Sequence, residues 1–215
     1  MIKTKIGLTR FDKDFNKIER IEQPSRSWLI AMWDWMFAQM SDSDLPNCID
    51  ITNTARTISS WDDHGRHAAW GRVAAGGGIG GEEDTYYSGS ERFYSVPSEL
   101  IGVQVGSNNA AATPSDYALG TKIAHGVAGG KLLYGGCEIA NPTFSDPNGE
   151  MIIRRFFTNV SGGNVTVEEC GIYQAVNGTS DHAYYFCIAR DIVAPAVVVA
   201  DTEILMVTYT VQITV

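Results

Sequence analysis

The stretch from Arg154 to Tyr173, RRFFTNVSGGNVTVEECGIY, decides the fold. Phe156 and Phe157 lead into Asn159, Ser161, Gly162, Gly163 and Asn164, residue types that tolerate the positive φ of hairpin loops. Val165 and Val167 then resume an alternating pattern, which makes a β-hairpin signature. The C-terminal run extends it. Leu205, Val207, Tyr209, Val211, Ile213 and Val215 share one parity, and Thr208, Thr210, Gln212 and Thr214 share the other. One face of that last strand is expected in a core, with Leu205, Val207, Tyr209 and Val211 buried.

Outward from this hairpin the chain reads as strands divided by turn chemistry. Asn141-Pro142 and Asp146-Pro147-Asn148-Gly149 separate runs at Lys131 to Ala140 and Met151 to Thr158. Leu100 to Val105 and His182 to Ile192 are further strands, the latter closed by a loop at Pro195, and Cys48 to Ser60 is another. The expected fold is mainly β, an antiparallel sandwich of jelly-roll-like or Ig-like type over residues 96–215. Residues 1–95 are expected to add an N-terminal arm, one buried helix and a glycine-rich loop, packed on or beside the sandwich; within them Lys3 to Glu22 fits a short strand and turn, or an arm laid on a neighbour.

The helix is expected to start after Ser25 or Ser27, either of which suits an N-cap behind Pro24, and to run through Met40. It is apolar nearly all round, broken by Asp34 and Gln39, and such a helix is normally enclosed on several sides. A bilayer needs about 20 apolar residues, more than this run supplies, so no membrane partner is expected. Two readings stay open. It is a core helix on a sheet, or Trp28, Met32, Trp35 and Met36 form part of a subunit interface, where Trp and Met are enriched.

A chain of 215 residues can bury a real core without staples. Its net charge of -9, with scattered basic residues, argues against nucleic acid as the main partner. Met1 to Ile6 alternates charge and apolarity, with Asp12, Lys13 and Asp14 behind it, so no signal peptide is expected and the chain is expected to be made and kept in a cytoplasm. Cys48, Cys137, Cys170 and Cys187 contain no Cys-x-x-Cys pair, which signals neither a zinc ribbon nor a redox dithiol. They are expected to be small buried hydrophobes.

Carboxylates and imidazoles cluster in one place, Asp62, Asp63, His64 and His67, but without the spacing of two His four apart on a helix. Gly76, Gly77, Gly78, Gly80 and Gly81 lack the Gly-Lys-Ser/Thr of a phosphate loop. No catalytic residue, metal ligand or cofactor is therefore expected. Trp61, Trp70, Tyr86 and Tyr87 are candidate interface anchors in a glycine-rich segment whose ordering is expected to depend on contacts outside the subunit. One further detail concerns parity: Val165 and Val167 point one way, Cys170 and Ile172 the other. Either a bulge intervenes or Glu169 points inward. An inward carboxylate needs a cation, and Arg190, in an otherwise apolar strand, is the expected structural partner.

Three passages carry a resemblance: VQVGSNNAAATPSDYALGTKIAHG, RRFFTNVSGGNVTVEECGIY and CIARDIVAPAVVVADTEILMVTYTVQITV. Together they resemble a family of small virion structural proteins of tailed bacteriophages. The shared pattern is a Val-Gly turn, Asp-Tyr-x-Leu, an Arg-x-Phe-x-Asn-x-Ser-Gly hairpin, Glu-x-Gly-Ile/Leu-Tyr, an Ala-Arg-Asp strand and a Thr-Tyr-Thr terminal strand. Ser107 and Asn108 depart from the family's usual Thr-Gly turn, and Val199-Ala200-Asp201 from its Pro and Gly loop. The resemblance implies a homo-oligomeric, non-enzymatic virion component assembled in the host cytoplasm, most concretely a capsid decoration or auxiliary protein on the major capsid protein. A neck, tail or fibre component is the alternative within that class. From another class, a carbohydrate-binding adhesin would use Trp61, Trp70, Tyr86 and Tyr87 as stacking platforms. A hydrolase would need convergent acid and base groups, which only Asp62 to His67 offers.

Overall fold

A computed structural model of the protein describes residues 2–25, 28–41, 43–59, 85–88, 91–94, 98–177 and 183–214. In chain order these hold β1 (Ile2–Phe11), β2 (Lys17–Ser25), α1 (Ile30–Ser41), β3 (Leu45–Ile49), β4 (Ala55–Ile58), β5 (Thr85–Ser88) and β6 (Glu91–Tyr94). There follow β7 (Gly102–Gly106), β8 (Leu133–Ala140), β9 (Thr143–Ser145), β10 (Asn148–Thr158), β11 (Val165–Asn177), β12 (Ala183–Val199) and β13 (Ile204–Thr214). The larger sheet has the order β2-β1-β13-β10-β8-β6-β5, with β9 also beside β10. The smaller sheet is β12-β11-β7, and β3-β4 is a separate hairpin. All pairings between these strands are antiparallel. The fold is mainly β and sandwich-like.

The alternating run at the C-terminal end occupies the middle of the larger sheet. β13 pairs along the whole of β1 on one edge and the whole of β10 on the other. Leu205, Val207 and Tyr209 are fully buried, while Val211 is half-buried. Their register partners share the inward face: Phe157 opposite Leu205, Leu8 opposite Val207 and Ile6 opposite Tyr209. Val103, Val105, Val165, Val167, Cys170 and Ile172 of the smaller sheet meet them in one core.

Both seams between the sheets are closed by something other than a regular strand pair. At one, residues 121–126 form a connector. The Ile123 amide donates to Val105 O at 2.9 Å, and the Gly126 amide to Leu132 O at 3.0 Å, which links β7 to the approach of β8. At the other, Gln23 on β2 reaches β12: its Nε2 donates to Ile192 O at 2.5 Å and its Oε1 accepts the Ala194 amide at 3.1 Å. A side-chain amide there reproduces the donor and acceptor of one residue of a β ladder.

Four expectations change. Residues 2–25 take the strand-and-turn form rather than that of an arm; β1 is an interior strand, because its Ile6 and Leu8 complete the face begun by β13. Cys48 to Ser60 is not one strand but the β3–β4 hairpin, turned by Asp50, whose Oδ1 accepts the Thr52 and Thr54 amides at 2.8 and 3.0 Å. β12 does not end at Pro195. It continues to Val199 through a register shift, Val167 facing Val197 while Glu169 faces Ile192, and the extra residues accommodate a proline that has no amide to donate. The helix starts at Ile30 rather than after a serine cap: Ser25 ends β2, and the Ile30 amide finds Pro114 O at 2.9 Å instead.

α1 packs with the β3–β4 hairpin onto β12 and extends the main core through Ala31, Trp35, Ala38, Cys48 and Ile58. A second, smaller cluster lies on the other face of the β12-β11-β7 sheet, where Leu29, Leu119, Tyr173 and Cys187 pack with Ile51 and Ala118. The segment that covers this face, residues 107–121, is what places the charged groups described below.

Leu205→Ala removes a fully buried side chain from the spine of the larger sheet, and a loss of about 2–5 kcal/mol of unfolding free energy is expected. Urea denaturation of the two proteins measures it; a loss well below that range would mean the core collapses to fill the site.

Candidate functional site

The register shift between β11 and β12 has a direct chemical effect. It turns Glu169 to the face opposite Cys170 and Ile172, so the parity switch in the sequence is a bulge and the carboxylate does not enter the main core. Glu169 is nonetheless fully buried, because residues 107–121 fold over it. Its Oε1 accepts the Thr121 amide at 2.8 Å, and its Oε2 accepts the Gly120 amide at 3.0 Å and Arg190 Nε at 2.7 Å. Arg190 then reaches the segment itself: Nη1 donates to Asp116 Oδ2 at 2.6 Å and Nη2 to Ala110 O at 3.1 Å. Asp116 closes the chain of contacts by accepting the Thr113 amide and hydroxyl at 2.9 and 2.7 Å.

The structure therefore brings Glu169 and Arg190 together, as a structural pair, and adds Asp116, the Asp of the Asp-Tyr-x-Leu pattern, to which the sequence assigned no role. Close approach at this site needs glycine. A Cβ on Gly106 would meet the Glu169 carboxylate and lie 2.6 Å from Thr121 O, and one on Gly171 would lie 2.5 Å from Ala189 O. Burial lowers the Arg190 affinity for its proton, but the contacts to Glu169 and Asp116 outweigh that and raise it.

A second buried charge has a different solution. Arg155 on β10 is 1% exposed, and its guanidinium donates to carbonyls: Nε to Gly135 O at 2.8 Å, and Nη1 to Ser98 O, Ile101 O and Val103 O at 2.8, 3.0 and 3.0 Å. The group also lies 4.8 Å from the centroid of the Tyr134 ring, a cation–π distance. Burial pulls its pKa below the usual value, opposed by Cys137, Tyr134 and Glu99. An arginine stays charged under these conditions. Gln104, also fully buried, donates to Ser98 O and Ile101 O, and its Oε1 has no partner among the described residues.

Arg155 thus ties the larger sheet to the start of β7. Gly102 adopts a φ of +72° there, and a Cβ on it would lie 2.7 Å from Cys137 Cβ.

The expected interface residues fall on two sides of the description. Trp28, Met32 and Met36 are half-buried and pack against the main core, and Trp35 belongs to it, which is the core-helix arrangement. An all-apolar helix does not announce which face turns inward. Ile30, Trp33, Phe37 and Met40 are the ones that remain exposed. Trp61 and Trp70 lie outside the described residues, as do Asp62, Asp63, His64, His67 and the glycine run; Tyr86 and Tyr87 are described only as backbone of β5.

The four cysteines are free and buried. Burial, with the nearby Asp34 carboxylate, pushes the Cys48 thiol up to about 11, and burial raises Cys137, Cys170 and Cys187 as well. Such thiols are poor nucleophiles at neutral pH. Among the described residues no group of three or more His, Cys, Asp or Glu is placed to hold a metal ion, and no helix is long and apolar enough to cross a membrane. What the arrangement does chemically is fasten loops to sheets.

Arg190→Met leaves the Glu169 carboxylate buried without its cation and is expected to destabilise the fold by about 3–5 kcal/mol. Native-state hydrogen exchange separates a local effect from a global one: the Gly120 and Thr121 amides should lose protection before the β13 amides do. pH acts in the same direction through Asp116. Burial pushes its carboxyl up, but the hydrogen bonds from Thr113 and the Arg190 pair together hold it below the ordinary value. Its stabilisation is complete above the unfolded pKa of about 4 and is lost as the pH falls through the lower folded value. A denaturation midpoint that drops below about pH 4, with a shallower drop in Asp116→Asn, is expected.

No family model matches the chain, and no curated protein or solved structure matches it either.

Proposed function

We propose that the protein is a non-enzymatic structural component of a bacteriophage virion, most concretely a decoration or auxiliary protein that binds the major capsid shell as an oligomer. A neck, tail or fibre position is the alternative within the particle. The observation that carries the proposal is the division of labour between interior and surface. The buried ionised groups Glu169, Arg190 and Arg155 are committed to backbone and to one another, while α1 turns a large apolar face outward. Rigid loops and an apolar face suit docking. The resemblance of the three sequence passages to tailed-phage virion proteins supplies the setting.

Mass spectrometry of density-gradient-purified particles from the source phage tests this. The expected result is the chain at a fixed copy number per particle, with purified chain rebinding particles that lack it. Absence from washed particles would overturn the proposal, and specific saccharide binding on a glycan array without particle association would replace it with the adhesin.

A further inference from the structure

The outward face of α1 has a geometry of its own. Ile30, Trp33, Phe37 and Met40 are 49%, 62%, 55% and 78% exposed. Their spacing of three, four and three residues is that of the seam along which one helix packs on another. At 3.6 residues per turn the four side chains share an arc of roughly 80°, away from the arc of Ala31, Trp35 and Ala38 that enters the core. No ionised side chain interrupts the exposed arc; Asp34 stands beside it, half-buried. α1 is the one helix among the described residues, so none of those residues supplies a second helix to fill the seam.

The spacing also reads the same in both directions. A two-fold axis at the level of Trp35 would set Ile30 against Met40 of the second copy and Trp33 against Phe37 of the second copy, and then repeat both contacts. A patch that complements itself under a two-fold axis is what an isologous interface requires. We propose that this face is a homotypic contact, in which two subunits pack α1 against α1 in antiparallel orientation.

Area sets its strength. An aromatic side chain offers about 150–250 Å², and with these exposures the four residues present roughly 400 Å² per subunit, about half the share of one partner in a standard interface. An interface this small belongs with the weak, transient class in free solution. Subunits already held on a common scaffold would meet at far higher effective concentration. The inference rests on the self-association in the proposed function and not on the virion. Crosslinking reads the contact in isolated protein and particle composition reads the setting, so either can fail alone.

Cysteine crosslinking of the full chain gives the test, because the four native cysteines are buried. Under mild oxidation at high protein concentration, Ile30→Cys/Met40→Cys should form a disulfide-linked dimer. Ile30→Cys alone should not, since the axis separates the two copies of that position. Adding Trp33→Glu to the double variant should abolish the link. Sedimentation of the unmodified chain should show reversible growth from one subunit toward two as concentration rises, lost in Trp33→Glu/Met40→Glu. A chain that stays monomeric with no crosslink would overturn the proposal, as would linkage of Ile30→Cys alone at the rate of the double variant. So would thiols at positions 30 and 40 that are shielded from maleimide in the monomer, which would mean another part of the same chain covers the face.

Discussion

An unpaired sheet edge is a row of donors and acceptors that must be satisfied, and the way this fold meets that constraint governs most of its other features. At one seam residues 121–126 donate to Val105 O of β7 and to Leu132 O at the approach of β8; at the other a single glutamine, Gln23, stands in for a strand. The connector at the first seam holds its place because Glu169 grips its start through the Gly120 and Thr121 amides. The register shift between β11 and β12, at the parity break beside Glu169, is what aims that carboxylate. Edge closure, bulge and buried charge are thus three aspects of one requirement.

The two buried arginines show how differently a cation can be accommodated. Arg190 is neutralised by carboxylates, so its environment responds to acid through Asp116. Arg155 is surrounded by carbonyl dipoles and aromatic rings, and no carboxylate among the described residues forms an ion pair with it. Carbonyls do not titrate. The link between β10 and the start of β7 should therefore survive at a pH where the 107–121 segment has loosened, which makes the segment, rather than the sheets, the part of the molecule that acid reaches first.

Much of this was legible in the residues, and what was not has physical reasons. Strict alternation in Leu205, Val207 and Tyr209 reveals a strand because period two has no other common cause. The parity break at Glu169 likewise required either a bulge or an inward charge, and Arg190 was the cation within reach. Its burial under residues 107–121 could not be read, since nothing local says that a loop will return over that face. α1 was legible as a helix but not in orientation: with apolar side chains on every side, Trp35 and Trp33 are equivalent in sequence, and only the small Ala31 and Ala38 hint at the side where a sheet approaches closely. β1 was legible only as one of two readings. Lys3, Lys5 and Arg10 alternate with Ile6 and Leu8 imperfectly, and only the pairing with β13 distinguishes a strand from an arm.

That partnership says something about how the molecule comes into being. β13 lies between β1 and β10, so the middle of the larger sheet stays vacant until the last described strand has left the ribosome. Until then β1 and β10 each present an open edge and the apolar faces that carry Ile6, Leu8 and Phe157. Pairings between strands so distant in sequence form late and slowly, and unpaired edges are where growing chains stick to one another. The nascent chain is thus exposed to misassembly until β13 has emerged, and closure of the larger sheet waits on that one strand.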